Sequence, residues 1–303
     1  MELRNPLRVL PVRPLLRRAA IAVLVCIASA MPGVSAKRSS GDPGRVGASR
    51  SLGELTDQLE ASRSTYHFTW IPDRWDAEDR VAVSKFLSDN AAPIQDLREA
   101  LRTAHTLGEN PLLDLRVART ACNVMVASAV HMRDEDGEAS AAVLLEIFRA
   151  ISLLPDEGHG CCSSPFVSVL LSMVQPGVQE CGGIEGLDAL TPVLNALRQR
   201  IQDEYDDALA TRSHELMESF FLRGIVRLEL MTTAIEAWEF EQGNRRLPTT
   251  LEELPTWCAR TSARSGPLVF EWRLEGNSLS VCWSLPQRDP VWDSIALERS
   301  SVR

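Results

Sequence analysis

The sequence predicts a mainly α-helical protein, a helical bundle or an array of α-hairpins, that ends in a small antiparallel β-hairpin module. Between residues 76 and 242 apolar residues recur every three or four positions, as on the buried face of a helix. After residue 267 they alternate with polar residues instead, as in strands that bury one face. Apolar residues make up 45% of the 303 residues and charged residues 24%, which is enough to bury an ordinary core.

The first 36 residues have the features of an export signal. Five arginines precede an apolar run at 19–30, and residues 34–36 (Val-Ser-Ala) are small, as a signal peptidase requires. The apolar run is shorter than the roughly 20 residues of a membrane-spanning helix. Extension to Ala36 would make a marginal anchor, so both cleavage and anchoring stay open. We therefore expect an exported protein, periplasmic or membrane-anchored, that touches the membrane only through this segment.

The charge of the remaining sequence argues against nucleic acid as a partner. The whole protein has a net charge of −9, and residues 1–36 contain five arginines and one glutamate, so the rest carries −13. A body this acidic lacks the basic surface that binds nucleic acid, and an anionic lipid surface would repel it. Protein partners in the cell envelope are the class that remains.

Composition divides the sequence after the signal into three segments. Residues 37–51 are rich in Ser, Gly and Arg, which is typical of a flexible linker. Residues 52–212 are predicted to form the helical array, and residues 213–303 a long helix over 213–242 followed by a tail. Within the array, periodicity predicts helices at 52–62, 77–88, 138–154, 165–174 and 187–211, and two more that begin near Pro93 and Pro111.

Two connecting segments carry more specific expectations. Residues 66–75 (YHFTWIPDRW) are rich in aromatic residues, and we interpret them as a loop that covers the helical core, with a ligand-stacking loop as the alternative. Residues 176–186 contain Pro176 and several glycines and are predicted to form a loop between two helices.

The tail is predicted from its helix-ending and strand-forming residues. Gly243 suits the position after a helix, where the backbone takes a positive φ. Thr250 and Glu253 have the spacing of a capping box and predict a second helix. Alternation over 268–274 and 278–284 predicts the β-hairpin. We expect three tryptophans to share one small core in this tail: Trp238, Trp272 and Trp283.

Residues 234–254 (AIEAWEFEQGNRRLPTTLEEL) resemble the segment of type II secretion major pseudopilins in which a long helix ends in an aromatic-rich turn, followed by Gly, Pro-Thr and a Leu-rich helix. With the hairpin, the likeness covers about a quarter of the sequence. Pseudopilins carry this segment shortly after a prepilin-peptidase site, whereas here it lies far downstream and the N-terminus lacks the Gly-Phe-Thr-Leu-x-Glu signature. The whole layout resembles exported bacterial helical proteins with a pseudopilin-like C-terminal segment, a class that implies no particular activity. The likeness is carried by Trp238, Gly243, Pro248, Thr249, Thr250 and Leu254.

Six cysteines follow the signal, an even number that permits disulfides in an exported protein. We predict one bridge from Cys161 or Cys162 to Cys181 and another between Cys258 and Cys282, with free thiols as the alternative. The group of His159, Cys161 and Cys181 is also the one cluster that suggests a metal, but adjacent cysteines without a further ligand pair do not fit the spacing of structural zinc sites.

No motif of a nucleophile elbow, a phosphate-binding loop, a dinucleotide site or a zinc protease occurs in the sequence. We therefore assign no catalytic, cofactor-binding or metal residue and no cofactor, and expect a non-enzymatic envelope protein that acts as an interaction or scaffolding module. One alternative is an envelope hydrolase or metal-dependent enzyme with a site around His159, Cys161 and Cys181. Another, which rests on the tail alone, is an accessory component of a secretion or pilus-like machine.

Overall fold

Eight α-helices and one three-stranded antiparallel sheet make up the residues that the computed structural model describes, which are 51–103, 115–152, 164–210, 218–255, 257, 271–283 and 291–297. All of them belong to one unit, Ser49–Arg303. The predicted fold class is thereby confirmed, and the export signal and the linker up to residue 50 lie outside the described residues. Among the described helices, none has both the length and the apolar character needed to cross a membrane.

The first three helices are α1 (Leu52–Arg63), α2 (Ala77–Asp89) and α3 (Ala91–Thr103). Ser51 and Glu54 form a capping box at the start of α1, because each side chain accepts a hydrogen bond from the other residue's backbone N–H, at 3.2 and 3.0 Å. Asp76 caps α2 by accepting from two backbone N–H groups in its first turn. Helices α1 and α2 extend one residue beyond the predicted ends.

The next two helices, α4 (Leu115–Met132) and α5 (Gly137–Ser152), are the predicted antiparallel pair. The Ser140 hydroxyl at the start of α5 donates to the Ala129 carbonyl oxygen near the end of α4, at 2.7 Å. Glu146 ties α5 to α3, because its carboxylate accepts hydrogen bonds from the guanidinium groups of Arg98 and Arg102. Burial raises the pKa of Glu146, but these hydrogen bonds outweigh it and hold the pKa below its usual value.

Helix α6 (Ser164–Glu180) corrects the prediction for residues 165–186. The sequence predicts a loop from Pro176 onward, but the helix continues through the proline. Val174 before the proline and Val178 after it are both fully buried. The free energy gained by burying this helix face outweighs the loss of the single backbone hydrogen bond that a proline removes. Gly177 permits the close contact with α4, since a Cβ atom there would lie 2.6 Å from Cγ1 of Val126.

A 3₁₀ turn at Leu187–Leu190 leads into α7 (Thr191–Ala210), and α8 (Glu218–Asn244) packs on both α6 and α7. The predicted boundary at residue 212 falls among residues 211–217, outside the described part. On either side of it, α7 and α8 contribute to one hydrophobic core. The apolar stripe predicted for the long helix is buried at Phe221, Ile225, Leu228, Met231, Ile235 and Trp238.

The end of α8 differs from the prediction in two respects. Gly243 lies inside the helix, and the positive φ of 58° falls on Arg245 instead. The expected second α-helix is only a 3₁₀ turn at Leu251–Glu253, and the Thr250 hydroxyl makes no capping hydrogen bond to it. The Glu253 carboxylate accepts hydrogen bonds from the Thr249 N–H at 2.6 Å and from the Arg246 guanidinium. It therefore stabilises the turn at residues 246–249 instead of capping a helix that begins after Thr250. Pro255 disfavours a helical conformation at the residue before it, which ends the turn.

The sheet consists of β1 (Glu271–Glu275), β2 (Ser278–Trp283) and β3 (Val291–Ala296), with β2 in the centre. The hairpin of β1 and β2 confirms the prediction, and its register places Trp272 opposite Val281 and Leu274 opposite Leu279. The third strand was not predicted, because Asp293 interrupts the apolar alternation between Val291 and Ile295. The buried face of the sheet, which includes Leu279, Val281 and Ile295, joins the core against α8.

The outer edge of β3 is covered by two glutamines of α6, one helical turn apart. The Gln175 side-chain amide donates to the Ser294 carbonyl oxygen at 3.2 Å. The Gln179 side-chain oxygen accepts from the Ala296 N–H at 3.4 Å. These side chains satisfy backbone groups that an edge strand otherwise leaves unpaired.

Trp238 joins α8, the turn after α6 and the residue after β3. Its side chain is fully buried, and its indole N–H donates to the Leu297 carbonyl oxygen at 2.9 Å. Gly182 makes room for the ring, because a Cβ atom at this position would lie 2.5 Å from the indole carbons. Of the other tryptophans expected in this core, Trp272 packs edge-on against Trp257 with ring centroids 5.3 Å apart. The side chain of Trp283 lies outside the described residues.

We expect Trp238→Ala to lower the free energy of unfolding by about 3–5 kcal/mol, because it leaves a large cavity and an unpaired carbonyl group. The matched control is Trp292→Ala, since Trp292 is 42% exposed on the outer face of the sheet. That change should cost about 1 kcal/mol or less. Urea denaturation of both variants measures the difference, and equal losses would contradict the assignment of Trp238 to the core.

A pair of glycine substitutions tests the same contact from the opposite side. Gly182→Ala should cost about 1–3 kcal/mol, because the added methyl group overlaps the Trp238 ring. Gly243→Ala, in α8 with open space around it, should instead gain up to about 1 kcal/mol through higher helix propensity. Thermal unfolding of the two variants gives shifts of opposite sign if this is correct. A tolerated Gly182→Ala would show that the ring is free to move aside.

Candidate binding cleft on helix α2

Two open depressions flank helix α2. One open cleft, with a volume of about 650 Å³, lies between α2 and the C-terminal end of α4; its lining includes Trp75, Arg80 and His131. We call it the α2 cleft. A second depression of about 740 Å³ lies on the other side of α2 and is lined in part by Tyr66. Val81 lines both, and with 70% of its surface exposed it is the most exposed large apolar residue described.

The floor of the α2 cleft is apolar and well supported. Trp75, Val83 and Val130 line it and are themselves buried, and the Trp75 indole N–H donates to the Thr69 carbonyl oxygen at 2.6 Å. These contacts fix the floor, so the cleft is a preformed surface.

The aromatic segment at residues 66–75 packs against the buried side of α2. Three rings of residues 66–75 pack around Phe86 of α2, with centroid distances of 5.6 Å for Tyr66, 5.4 Å for Phe68 and 5.7 Å for Trp70. This packing agrees with the interpretation of the segment as a cover for the helical core. The alternative of a ligand-stacking loop finds no support in it, because the three rings pack edge-on or tilted against Phe86.

Two charged groups at the rim of the cleft neutralise each other. Lys85 lies 2.7 Å from the Asp89 carboxylate, which also accepts a hydrogen bond from the Tyr66 hydroxyl at 2.7 Å. The hydrogen bond from Lys85, with that from Tyr66, lowers the pKa of Asp89, while the hydrogen bond to Asp89 raises the pKa of Lys85. Both groups therefore stay ionised at neutral pH.

A second ion cluster lies beside the cleft and joins α2, the residue after α4 and the end of α6. Glu180 at the end of α6 is buried and pairs with Arg133 at 2.7 Å. Arg80 of α2 lies 3.8 Å from the same carboxylate, and its Nε is buried without a hydrogen-bond partner. Arg133 also lies 3.3 Å from Asp134 on the cleft surface.

The cysteines that the structure describes are buried. Cys122, Cys181 and Cys282 form no disulfide with one another, and Cys161, Cys162 and Cys258 lie outside the described residues, so both disulfides remain predictions. Burial raises the pKa of Cys181 to about 11 and that of Cys122 to about 12. Such thiols stay protonated at neutral pH, which disfavours a role as nucleophile or metal ligand.

The metal hypothesis gains nothing from the described residues. Cys181 lies 3.5 Å from the Ser140 hydroxyl inside the core, and His159, with which it was grouped, is not described. Across the described ranges, no three His, Cys, Asp or Glu residues are placed to hold a metal ion. The acidic residues of α7, such as Asp203 and Asp206, are exposed to solvent, as expected of an outer helix face.

Comparison with known proteins returned no match: no family model, no curated protein and no solved structure is significantly similar to this protein. The likeness of residues 234–254 to major pseudopilins therefore rests on the sequence alone.

Proposed function

We propose that this is a non-enzymatic, exported protein of the cell envelope whose helical array is a scaffold for a protein partner that binds at the α2 cleft. One observation carries the proposal. Val81, 70% exposed, stands between two open depressions, of which the α2 cleft has buried apolar residues in its lining and charged residues at its rim. Single exposed apolar residues are common on protein surfaces, but one flanked by preformed concave surfaces has the anatomy of an interface, with an apolar anchor and a polar rim.

Export is supported by the sequence of the first 36 residues, with their arginines, apolar run and small residues at 34–36. An acidic body without affinity for nucleic acid or anionic lipid fits a protein partner in the envelope. A role beside a secretion or pilus-like machine would be one form of this function, and it is supported by the resemblance of the tail.

The enzymatic alternative has less support. Of the three residues of that site, Cys181 lies in the core with its pKa raised to about 11, which disfavours a reactive thiolate, and His159 and Cys161 lie outside the described residues.

Site-specific photocrosslinking in the native host tests the proposal. A benzophenone amino acid at Val81 should yield an adduct of defined mass with one partner from the envelope fraction. The same amino acid at the exposed Asp203 on α7, the control, should not. Val81→Asp should reduce recovery of that partner at least about tenfold without changing thermal stability, because most of the residue is already in contact with solvent. Identical adduct patterns at the two positions, or none at either, would refute the proposed interface.

Export has its own measurement. Residues 1–60 fused to a reporter enzyme that is active only outside the cytoplasm should give an active reporter. Replacing the five arginines of residues 1–36 by glutamine is the matched control and should reduce the activity, since the basic region directs export. An inactive reporter fused to residues 1–60 would refute the claim that the protein is exported to the cell envelope.

A further inference from the structure

Four residues of α2 form a stripe along the outer side of the helix: Glu78, Val81, Ala82 and Lys85. Their spacing is that of side chains which share one face of an α-helix. All four line the second depression beside α2, as expected for such a face. Ala82 is half-buried and the other three are exposed. This surface, which we call the α2 stripe, has an apolar middle and an opposite charge at each end.

The charged ends of the α2 stripe are accessible to a partner. Among the described residues, the Glu78 carboxylate has no ion pair and no hydrogen bond. Lys85 is paired with Asp89 at 2.7 Å, but its side chain is 66% exposed, and an ammonium group has three N–H donors. An exposed ion pair of this kind contributes little to stability and leaves donors for a second carboxylate.

The middle of the α2 stripe places a large residue beside a small one. Val81 is 70% exposed, whereas the side chain of Ala82 ends at its Cβ atom. Ala77, another short side chain, lines the same depression. Short side chains allow a second helix to approach closely, so the depression has room for a residue of the size of valine over Ala82.

The stripe is symmetric along the helix axis. Glu78 and Lys85 are about 10 Å apart along the axis, and the midpoint between them falls between Val81 and Ala82. An identical helix that runs antiparallel across this midpoint brings Glu78 of each copy level with Lys85 of the other. It also brings Val81 of each copy level with Ala82 of the other. Every contact then occurs twice, as in an interface with a two-fold axis.

Charge also distinguishes this surface from the rest of the protein. The whole protein has a net charge of −9, which repels a second copy. Around the α2 stripe, the ion pairs of Lys85 with Asp89 and of Arg80 with Glu180 keep positive and negative charges close together. Two copies can therefore approach each other at α2 with less repulsion than the net charge would produce.

We infer that the partner at α2 is a second copy of this protein, bound by antiparallel packing of the two α2 helices about a two-fold axis between Val81 and Ala82. This inference rests on the proposed function and identifies its partner. The opposite charges of Glu78 and Lys85 determine the antiparallel direction, because a parallel pair would place like charges together. The contact of Val81 with the short Ala82 determines the register.

The mass of the Val81 photocrosslink tests the identity of the partner. With the benzophenone amino acid at Val81, the full-length protein in its native host should give an adduct of two copies of the protein. An adduct with a different protein would overturn the inference and leave the interface at α2 intact. The absence of any adduct would refute the proposed function itself.

Charge reversal tests the antiparallel arrangement. Two full-length copies with different affinity tags are produced together in the native host, and capture of one tag measures the copy that carries the other. Glu78→Lys in both copies, or Lys85→Glu in both, should reduce this co-capture about tenfold, because each change creates two like-charge contacts. When one copy carries Glu78→Lys and the other Lys85→Glu, both contacts join opposite charges again, and co-capture should return to the wild-type level.

The matched controls make the same changes of charge on other helices. Asp203→Lys on α7 and Arg149→Glu on α5 alter exposed residues and should leave co-capture unchanged. Thermal unfolding of each variant identifies any that has lost its fold. Three results would overturn the inference: no co-capture of wild-type copies, unchanged co-capture in the folded single variants, or no recovery in the mixed pair. The first needs only the wild-type protein, so it does not depend on a variant that folds.

Discussion

The contact between the Trp238 ring and the backbone of Gly182 is the constraint on which the described fold depends. The ring belongs to the longest described helix, its indole N–H donates to the carbonyl oxygen of Leu297, and its atoms lie against Gly182, a residue without a side chain. Three parts of the sequence separated by more than fifty residues therefore meet at one side chain. Because the sheet is too small to fold alone, its attachment to the helices relies on this buried contact and the apolar face beside it.

Periodicity in the sequence was sufficient to predict the helical class, the long helix and the hairpin, because each follows from local burial of one face. It failed where tertiary contacts outweigh local preference. Pro176 lacks a backbone N–H and favours the end of a helix, yet α6 continues beyond it because Val174 and Val178 are buried on one helix face. Gly243 is the natural residue for a positive φ, yet Arg245 adopts it, after α8 has continued past the glycine.

The candidate site could not be read from the sequence for the same reason. Arg80 and Glu180 are a hundred positions apart, and only the packing of α2 against the ends of α4 and α6 brings them to 3.8 Å. The buried ion pair between Glu180 and Arg133 likewise forms only through tertiary packing, since the two residues are 47 positions apart. The one local indication of the site was Val81, an apolar residue on the face of α2 opposite the buried Val83 and Phe86. Periodicity alone identifies Val81 only as an apolar residue outside the buried stripe of the helix.

The two glutamines of α6 that cover β3 also limit how this protein can assemble. An exposed edge strand recruits further strands, and many extracellular fibres and chaperone complexes grow by that route. Gln175 and Gln179 occupy a backbone oxygen of Ser294 and a backbone N–H of Ala296, groups that an incoming strand would use. Polymerisation through β3 would first require α6 to withdraw, and α6 is fixed by its packing on α4 and α8. The edge of β3 at Ser294 and Ala296 is therefore closed to strand addition for as long as α6 stays in place.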